Sequence, residues 1–285
     1  MAQIVAGIGS SHVPAVGAAF DQGKQDTPEW KPLFDGYRPV MQWLNQAHVD
    51  LAIFIYNDHG TDFFFDKYPT FAMGVGNEFA IADEGWGKRP LGPVPGDPEF
   101  SWHVAQSLIV ESEFDVTVCQ EMALDHGLLT PLPLLWSHKP HWAIKVLPIF
   151  VNVIQHPLPT ARRLWKLGKA LRKAVESYPK DVRVAVIGTG GLSHQLHGER
   201  FGFRNEQWDL EFMDRIVRDP ESLVDISHHE YMARGGAEAV EMIMWLGMRG
   251  AMSAEVKLVH KNYYAPMLTG MGLLLLEDAI TPAAS

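Results

Sequence analysis

A single α/β domain, with a central mixed, largely parallel sheet flanked by helices on both faces, is the fold this sequence predicts. Three observations predict it. Short apolar, β-branched runs alternate with stretches of helical periodicity along the whole chain. Several of those runs end in polar clusters, and in open α/β sheets the ligand crevice lies outside the carboxyl ends of the strands. Neither an internal repeat of fixed period nor an interdomain linker divides the 285 residues.

Composition narrows the function classes. At 47% hydrophobic content the chain is able to bury a large core. A formal net charge of −10 and the lack of any Lys/Arg block argue against nucleic acid or an anionic membrane surface as partner. Cys119 is the only cysteine, which excludes an intramolecular disulfide and a Cys-rich zinc site and fits a reducing cytoplasm. Met1-Ala2-Gln3-Ile4 opens directly into a strand without the basic segment and long apolar core of a secretory signal, and no run approaches membrane-spanning length.

In chain order, Ile4 to Ile8 reads as a strand leading to Gly9-Ser10-Ser11-His12. Pro28, followed by Trp30, Leu33, Tyr37, Met41 and Leu44 at three- and four-residue spacing, starts an amphipathic helix. Leu51 to Ile55 is a buried strand ending in Asn57-Asp58-His59. From about 62 to 98 the texture becomes aromatic and then rich in Pro and Gly, an irregular insertion of the kind that forms lids, substrate walls or subunit contacts. Glu99 to Val110 reads as a helix and Asp115 to Val118 as a strand leading toward Asp125-His126. Leu128 to Trp136, with two prolines, is a short helix or turn, and Lys145 to Val153 is a strand leading to Gln155-His156. Thr160 is an N-cap for a helix from Ala161 to Tyr178 whose basic outer face is solvated. Val182 to Ile187 is a strand followed by Gly188-Thr189-Gly190-Gly191-Leu192-Ser193-His194. Gln207 to Val217 and Tyr231 to Met248 are helices, Val256 to Val259 and Gly270 to Leu276 are late strands, and a short flexible tail closes the chain.

Several imidazoles are thus delivered to one edge of one sheet. A lone histidine is usually satisfied by one hydrogen bond, but His12, His59, His126 and His194 repeat the same placement. The helix from Tyr231 to Met248 adds a carboxylate on an apolar face, Glu241, with Glu238 one turn earlier as the alternative. Two neutral imidazoles and a carboxylate with open positions form the arrangement of non-haem Fe(II) enzymes that activate oxygen, and zinc hydrolases use a similar set. The Gly188 to Ser193 loop lacks the third glycine of a dinucleotide fingerprint, and no G-x-S-x-G elbow is present.

The set Ser10-Ser11-His12-Val13-Pro14, Tyr56-Asn57-Asp58-His59, Ala82-Asp83-Glu84-Gly85-Trp86-Gly87, Asp125-His126-Gly127, Gly188 to Leu196 and Gly236-Ala237-Glu238-Ala239-Val240-Glu241 resembles the class III extradiol ring-cleavage dioxygenases. Within them it is most similar to the catalytic β-subunit type of protocatechuate 4,5-dioxygenase, over nearly the whole chain. The resemblance implies that His12, His59 and Glu241 hold one Fe(II), which selects Glu241 over Glu238. It makes His194 the acid/base and His126 a second pocket histidine that contacts substrate or oxygen. Asn57 and Asp58 become supporting groups that fix a ligand's tautomer. The implied reaction is opening of a catechol-type aromatic acid by O2 in aromatic-compound degradation, protocatechuate giving 4-carboxy-2-hydroxymuconate semialdehyde. Relatives hold the substrate carboxylate with a small hydroxyl side chain near the late strand. Here that region reads Tyr264-Ala265-Pro266-Met267-Leu268-Thr269, so Thr269 is expected to serve and gallate is the alternative substrate. The family's β subunit is normally capped by a small helical α subunit, so a separate α subunit in an α2β2 heterotetramer is expected. A zinc-dependent hydrolase and an inactive scaffold are the remaining readings.

Overall fold

In the computed structural model, residues 1–279 are described, and the flexible tail expected at the C-terminus falls at 280–285, outside the described residues. The chain opens with β1 (Gln3–Ser10), α1 (Pro14–Asp21), α2 (Lys31–Gln46) and β2 (Leu51–Tyr56). α2 begins three residues after Pro28, and Pro32 occupies its first turn, where a missing N–H leaves no bond unmade. Three short strands, β3 (Phe71–Gly74), β4 (Glu78–Ile81) and β5 (Val94–Pro95), lie within the segment 62–98. α3 (Pro98–Gln106) continues into a π-helical turn, and β6 (Thr117–Cys119), β7 (Ala123–Leu124), α4 (His126–Leu129) and α5 (Leu132–Leu135) follow. Then come β8 (Lys145–Val151), α6 (Ala161–Glu176), capped by the Thr160 hydroxyl, and β9 (Arg183–Thr189). α7 (Glu206–Arg218), α8 (Glu221–Val224), α9 (His228–Gly235), α10 (Ile243–Ala251), β10 (Val256–Tyr264) and β11 (Met271–Asp278) complete the described chain.

The main sheet runs β10-β11-β1-β9-β2-β8-β3-β6. β1–β9, β9–β2, β2–β8 and β3–β6 pair in parallel, and the other three pairs are antiparallel. The sheet is therefore mixed with a parallel centre, as the alternation of strand and helix patterns predicts. Its central strands β1, β9, β2 and β8 are almost wholly buried because both faces are covered, whereas the edge strands β10 and β6 are partly exposed. On β2, Leu51, Ile53 and Ile55 join the core beneath α6 and α10, while Ala52, Phe54 and Tyr56 join the opposite core with α2 and α5.

The helix predicted over Tyr231 to Met248 is broken. α9 ends at Gly235, Gly236 adopts φ +98°, a 3-10 turn covers Ala237–Met242, and only then does α10 begin. Only glycine fits at the break: its φ is left-handed and a Cβ there would overlap the carbonyl oxygen of His194. Apolar periodicity continues through the break because Tyr231, before it, packs on Trp208 and Phe212 of α7 while α10, after it, packs on the sheet, which hides the interruption from a periodicity reading.

Candidate active site

β1, β9 and β2 end at one level: Ser10 pairs with Thr189, and Gly188 pairs with both Gly9 and Ile55. The next residues therefore leave the sheet side by side. His12, the 190–194 segment and Asn57 to His59 meet over this edge, and the 3-10 turn before α10 lowers Glu241 onto them. All are buried except His59, which is partly so.

Glu241 is the centre of the cluster. Its Oε2 lies 3.2 Å from His12 Nε2 and accepts a hydrogen bond from Gly191 N at 2.8 Å. Its Oε1 lies 3.7 Å from His59 Nε2 and accepts from Asn57 Nδ2 at 3.3 Å. The outer ring nitrogens are separately engaged. His12 Nδ1 is 3.1 Å from Thr189 Oγ1, and His59 Nδ1 donates to Asp125 Oδ2 at 2.8 Å. Because a carboxylate only accepts, His59 keeps a proton on Nδ1, and in its neutral form the Nε2 lone pair faces Glu241. Asp125 also accepts from His59 N at 2.7 Å and caps α4 through Gly127 N at 2.9 Å.

His126 stacks on His59 with ring centroids 3.7 Å apart, and its Nδ1 is hydrogen-bonded to Glu84, which also accepts from His126 N. One ring nitrogen from each of His12, His59 and His126 lies within 4.8 Å of the others. His194 Nδ1 donates to Leu192 O at 2.8 Å; a carbonyl cannot donate, so neutral His194 carries its lone pair on Nε2.

The electrostatics favour a cation at this centre. Burial lowers His12 and outweighs the nearby Glu241 carboxylate. Burial alone would lower His59 too, but Asp125 and Glu241 together raise it to about 10. Glu241 is held well below the ordinary carboxylate range despite its burial, first by His12 and then by His59. Positive charge is thus stabilised between Asp125 and Glu241. The donor set of imidazole Nε2 atoms and one carboxylate suits a divalent transition metal, and the Oδ1 of fully buried Asn57 has no partner.

The cluster forms one wall of a cavity of about 770 Å³. His194 and Thr269 face it, and Val13, Leu158, Met232, Val240 and Met267 make most of the rest apolar, with no Lys or Arg among the described lining residues. At the mouth, Ile154, Leu196 and Leu268 are 51, 50 and 40% exposed.

The structure brings His12, His59, Glu241, His126, His194 and Thr269 to one cavity. Asn57 touches both His59 and Glu241. Asp58 does not fix a tautomer as expected. Its carboxylate accepts from the backbone N–H groups of Gly60, Thr61, Asp62 and Phe63 and closes the turn after β2. Asp125 does that work for His59 instead. Glu238 is directed away from the centre, to Leu196 N and His197 Nδ1 at 3.2 and 2.8 Å. Asp125, Glu84 and Thr189 take roles here that sequence reasoning did not assign to them. The chain contains two Asp-His dipeptides, and only the fold reveals that the aspartate of the second serves the histidine of the first.

A family model described as the catalytic LigB subunit of aromatic ring-opening dioxygenase matches residues 6–275. A gallate dioxygenase of Pseudomonas putida is 48% identical over 70% of this chain and 58% of its own length. A 2,3-dihydroxyphenylpropionate/2,3-dihydroxicinnamic acid 1,2-dioxygenase of Photorhabdus laumondii is 32% identical over 65% of this chain and 54% of its own length. The chain thus spans little more than half of these two relatives. A solved structure titled uncharacterized protein JW3007, from Escherichia coli K12, shares the fold with a TM-score of 0.57 at 12% identity, covering 96% of this chain and 100% of that one.

Proposed function

Because the chain belongs to the LigB family of catalytic subunits of aromatic ring-opening dioxygenases, we propose that it opens the ring of a catechol-type aromatic acid with O2, using Fe(II) held by His12, His59 and Glu241. One observation carries the reading: two imidazole Nε2 atoms converge on the two oxygens of one buried carboxylate, beside a mostly apolar cavity large enough for a substituted ring. Extradiol cleavage, of a ring bond flanking the adjacent hydroxyl pair rather than of the bond between the two, is the mode this donor set suits.

Bound Fe(II) would supply Lewis acidity toward the catechol hydroxyls and a redox centre linking O2 to the ring. The remaining steps belong to side chains. His194 accepts a hydroxyl proton at Nε2, because Nδ1–H is committed to Leu192 O, and returns it to oxygen as the ring opens. His126, held at Nδ1 by Glu84, turns its other nitrogen to substrate or O2. Asn57 and Asp125 keep Glu241 and His59 in ligating geometry. Thr269 offers its hydroxyl to the ring's carboxylate in a wall without Lys or Arg.

Gallate takes precedence over protocatechuate as the substrate, supported by the 48% identity to a protein named gallate dioxygenase. A small α subunit, or an equivalent fused domain, is proposed to cover the cavity mouth, where Ile154, Leu196 and Leu268 leave apolar surface half exposed. An α2β2 heterotetramer is the assembly this would give in the separate case. The test is oxygen uptake by Fe(II)-loaded protein offered gallate and protocatechuate in parallel. A kcat/KM for gallate about tenfold or more above that for protocatechuate is expected, and the reverse ranking would overturn the substrate assignment.

A further inference from the structure

Beside His194 lies a buried carboxylate that none of the chemistry above uses. Asp209, on α7, is 0% exposed and has no salt-bridge partner among the described residues. Its Oδ1 accepts from Ser193 N at 2.7 Å, and its Oδ2 accepts from Ser193 Oγ at 2.7 Å and Tyr263 OH at 2.9 Å. Ser193 Oγ in turn accepts from Asn205 N at 2.7 Å. A buried charge satisfied only by neutral donors stabilises a fold less than an apolar residue of the same size, so its value lies in what it holds in place.

It holds a crossing of two segments. Leu192 N donates to Gly270 O and Gly270 N to Ser193 O, each at 3.0 Å, so that His194 and Thr269 oppose one another in a single antiparallel bridge. The Gly270 backbone packs so closely on the carboxylate that a Cβ there would overlap Asp209 Oδ2. One side chain thereby ties α7, the 190–194 segment, β10 and the entry to β11.

We propose that Asp209 is a positioning residue that sets the register between His194 and Thr269, and so between the group that moves the proton and the group that faces the ring substituent. The inference rests on the roles given to His194 and Thr269 in ring cleavage. Asp209 itself touches neither substrate nor metal.

The test compares wild type with Asp209→Asn and Tyr263→Phe, the latter removing one hydroxyl from a partly exposed strand. Turnover is expressed per bound iron, with gallate and with pyrogallol, the same ring without its carboxylate; amide hydrogen exchange is followed at 192 and 270. Asp209→Asn is expected to bind iron normally, to lose kcat roughly tenfold or more with both rings, to raise KM for gallate alone, and to exchange faster at both amides. Tyr263→Phe is expected to show the same pattern more weakly, and it decides the matter if Asp209→Asn does not fold. A role confined to stability would lower the melting temperature while leaving kcat and KM per iron unchanged, and that result would overturn the proposal. If wild type opens neither ring, ring cleavage itself fails. Exchange then decides alone: faster exchange at 192 and 270 in the variants supports the clamp, and unchanged exchange overturns it.

Discussion

Replacing Asp125 with Asn separates the shape of the metal cluster from the placement of its protons. Asp125 Oδ2 accepts from both His59 Nδ1 and His59 N, at 2.8 and 2.7 Å, while Oδ1 caps α4 through Gly127 N at 2.9 Å. An asparagine keeps the volume and only one acceptor oxygen. If that oxygen stays on Gly127 N, the NH2 group confronts two His59 donors, and the imidazole is relieved by moving its proton to Nε2, the atom that faces Glu241. If the oxygen turns to His59, the first turn of α4, which carries His126, loses its cap. Each lost charge-assisted bond is worth about 1.5–3 kcal/mol. Displacing the group that orients a ligating histidine weakens metal binding by roughly 10–100-fold. Anaerobic competition against a chromophoric chelator is expected to show that loss for Fe(II), and urea unfolding of metal-free protein is expected to show a destabilisation of the size of one such bond or more. The stability loss also has a pH signature. His59 is raised to about 10 from 6.5, so protonated His59 stabilises the metal-free fold fully below 6.5 and ceases to do so as pH rises through about 10. Asp125→Asn should therefore cost more at pH 6 than near pH 10. Unchanged Fe(II) affinity would refute the assignment of Asp125 as the residue that orients His59.

Further outcomes follow from the same geometry. His194→Ala is expected to retain iron by metal analysis yet lose about 10²–10⁴-fold in turnover, whereas His12→Ala loses the iron itself; near-normal turnover in His194→Ala would remove that residue from proton transfer. Although the nitrogens of His126 lie close to those of His12 and His59, His126→Ala should keep its iron while turnover falls, and loss of iron would make the site a three-histidine one. Gly236→Ala forces φ +98° on a residue with a Cβ and overlaps His194 O, so thermal unfolding should report a destabilisation of about 1–3 kcal/mol together with lower kcat. Asp97 caps α3 through Phe100 N and pairs with Lys145, bonds to the charged form that hold its carboxyl below its usual value against burial. Asp97→Ala should cost about 1 kcal/mol at neutral pH, and because a lowered carboxylate pKa contributes stability only while ionised, the gap from wild type should close as urea titrations are moved from neutral pH to below the lowered pKa.

Much of the site was legible because its groups follow strand ends. An apolar run such as Leu51 to Ile55 declares a buried strand, and polar residues immediately after it can only emerge at the sheet's carboxyl edge, which is where His12, His59 and His194 are found. Glu241 was visible as a charge on an apolar stripe. What periodicity could not reveal was the break at Gly236, since the apolar pattern persists on both sides of it. Nor could it sort the two Asp-His dipeptides: Asp58 is adjacent in sequence to His59 yet spends its carboxylate on the turn, while Asp125 arrives from 66 residues away. Asp209 lies inside the Gln207 to Val217 helix pattern, which does not single it out, and only the fold places Ser193 and Tyr263 against it. Partners fixed by tertiary contact leave little trace in local patterning, whereas strand-end groups leave a clear one.

The most direct test of ring cleavage at this centre is turnover of gallate under 18O2 by protein loaded anaerobically with Fe(II), with product analysed by mass spectrometry and the His12→Ala protein run alongside. Ring cleavage of the kind proposed predicts one O2 consumed per ring opened, both 18O atoms in the ring-opened product, and neither uptake nor product from His12→Ala. Iron bound at His12, His59 and Glu241 without catechol-dependent oxygen uptake, in the presence of a covering subunit, would contradict it.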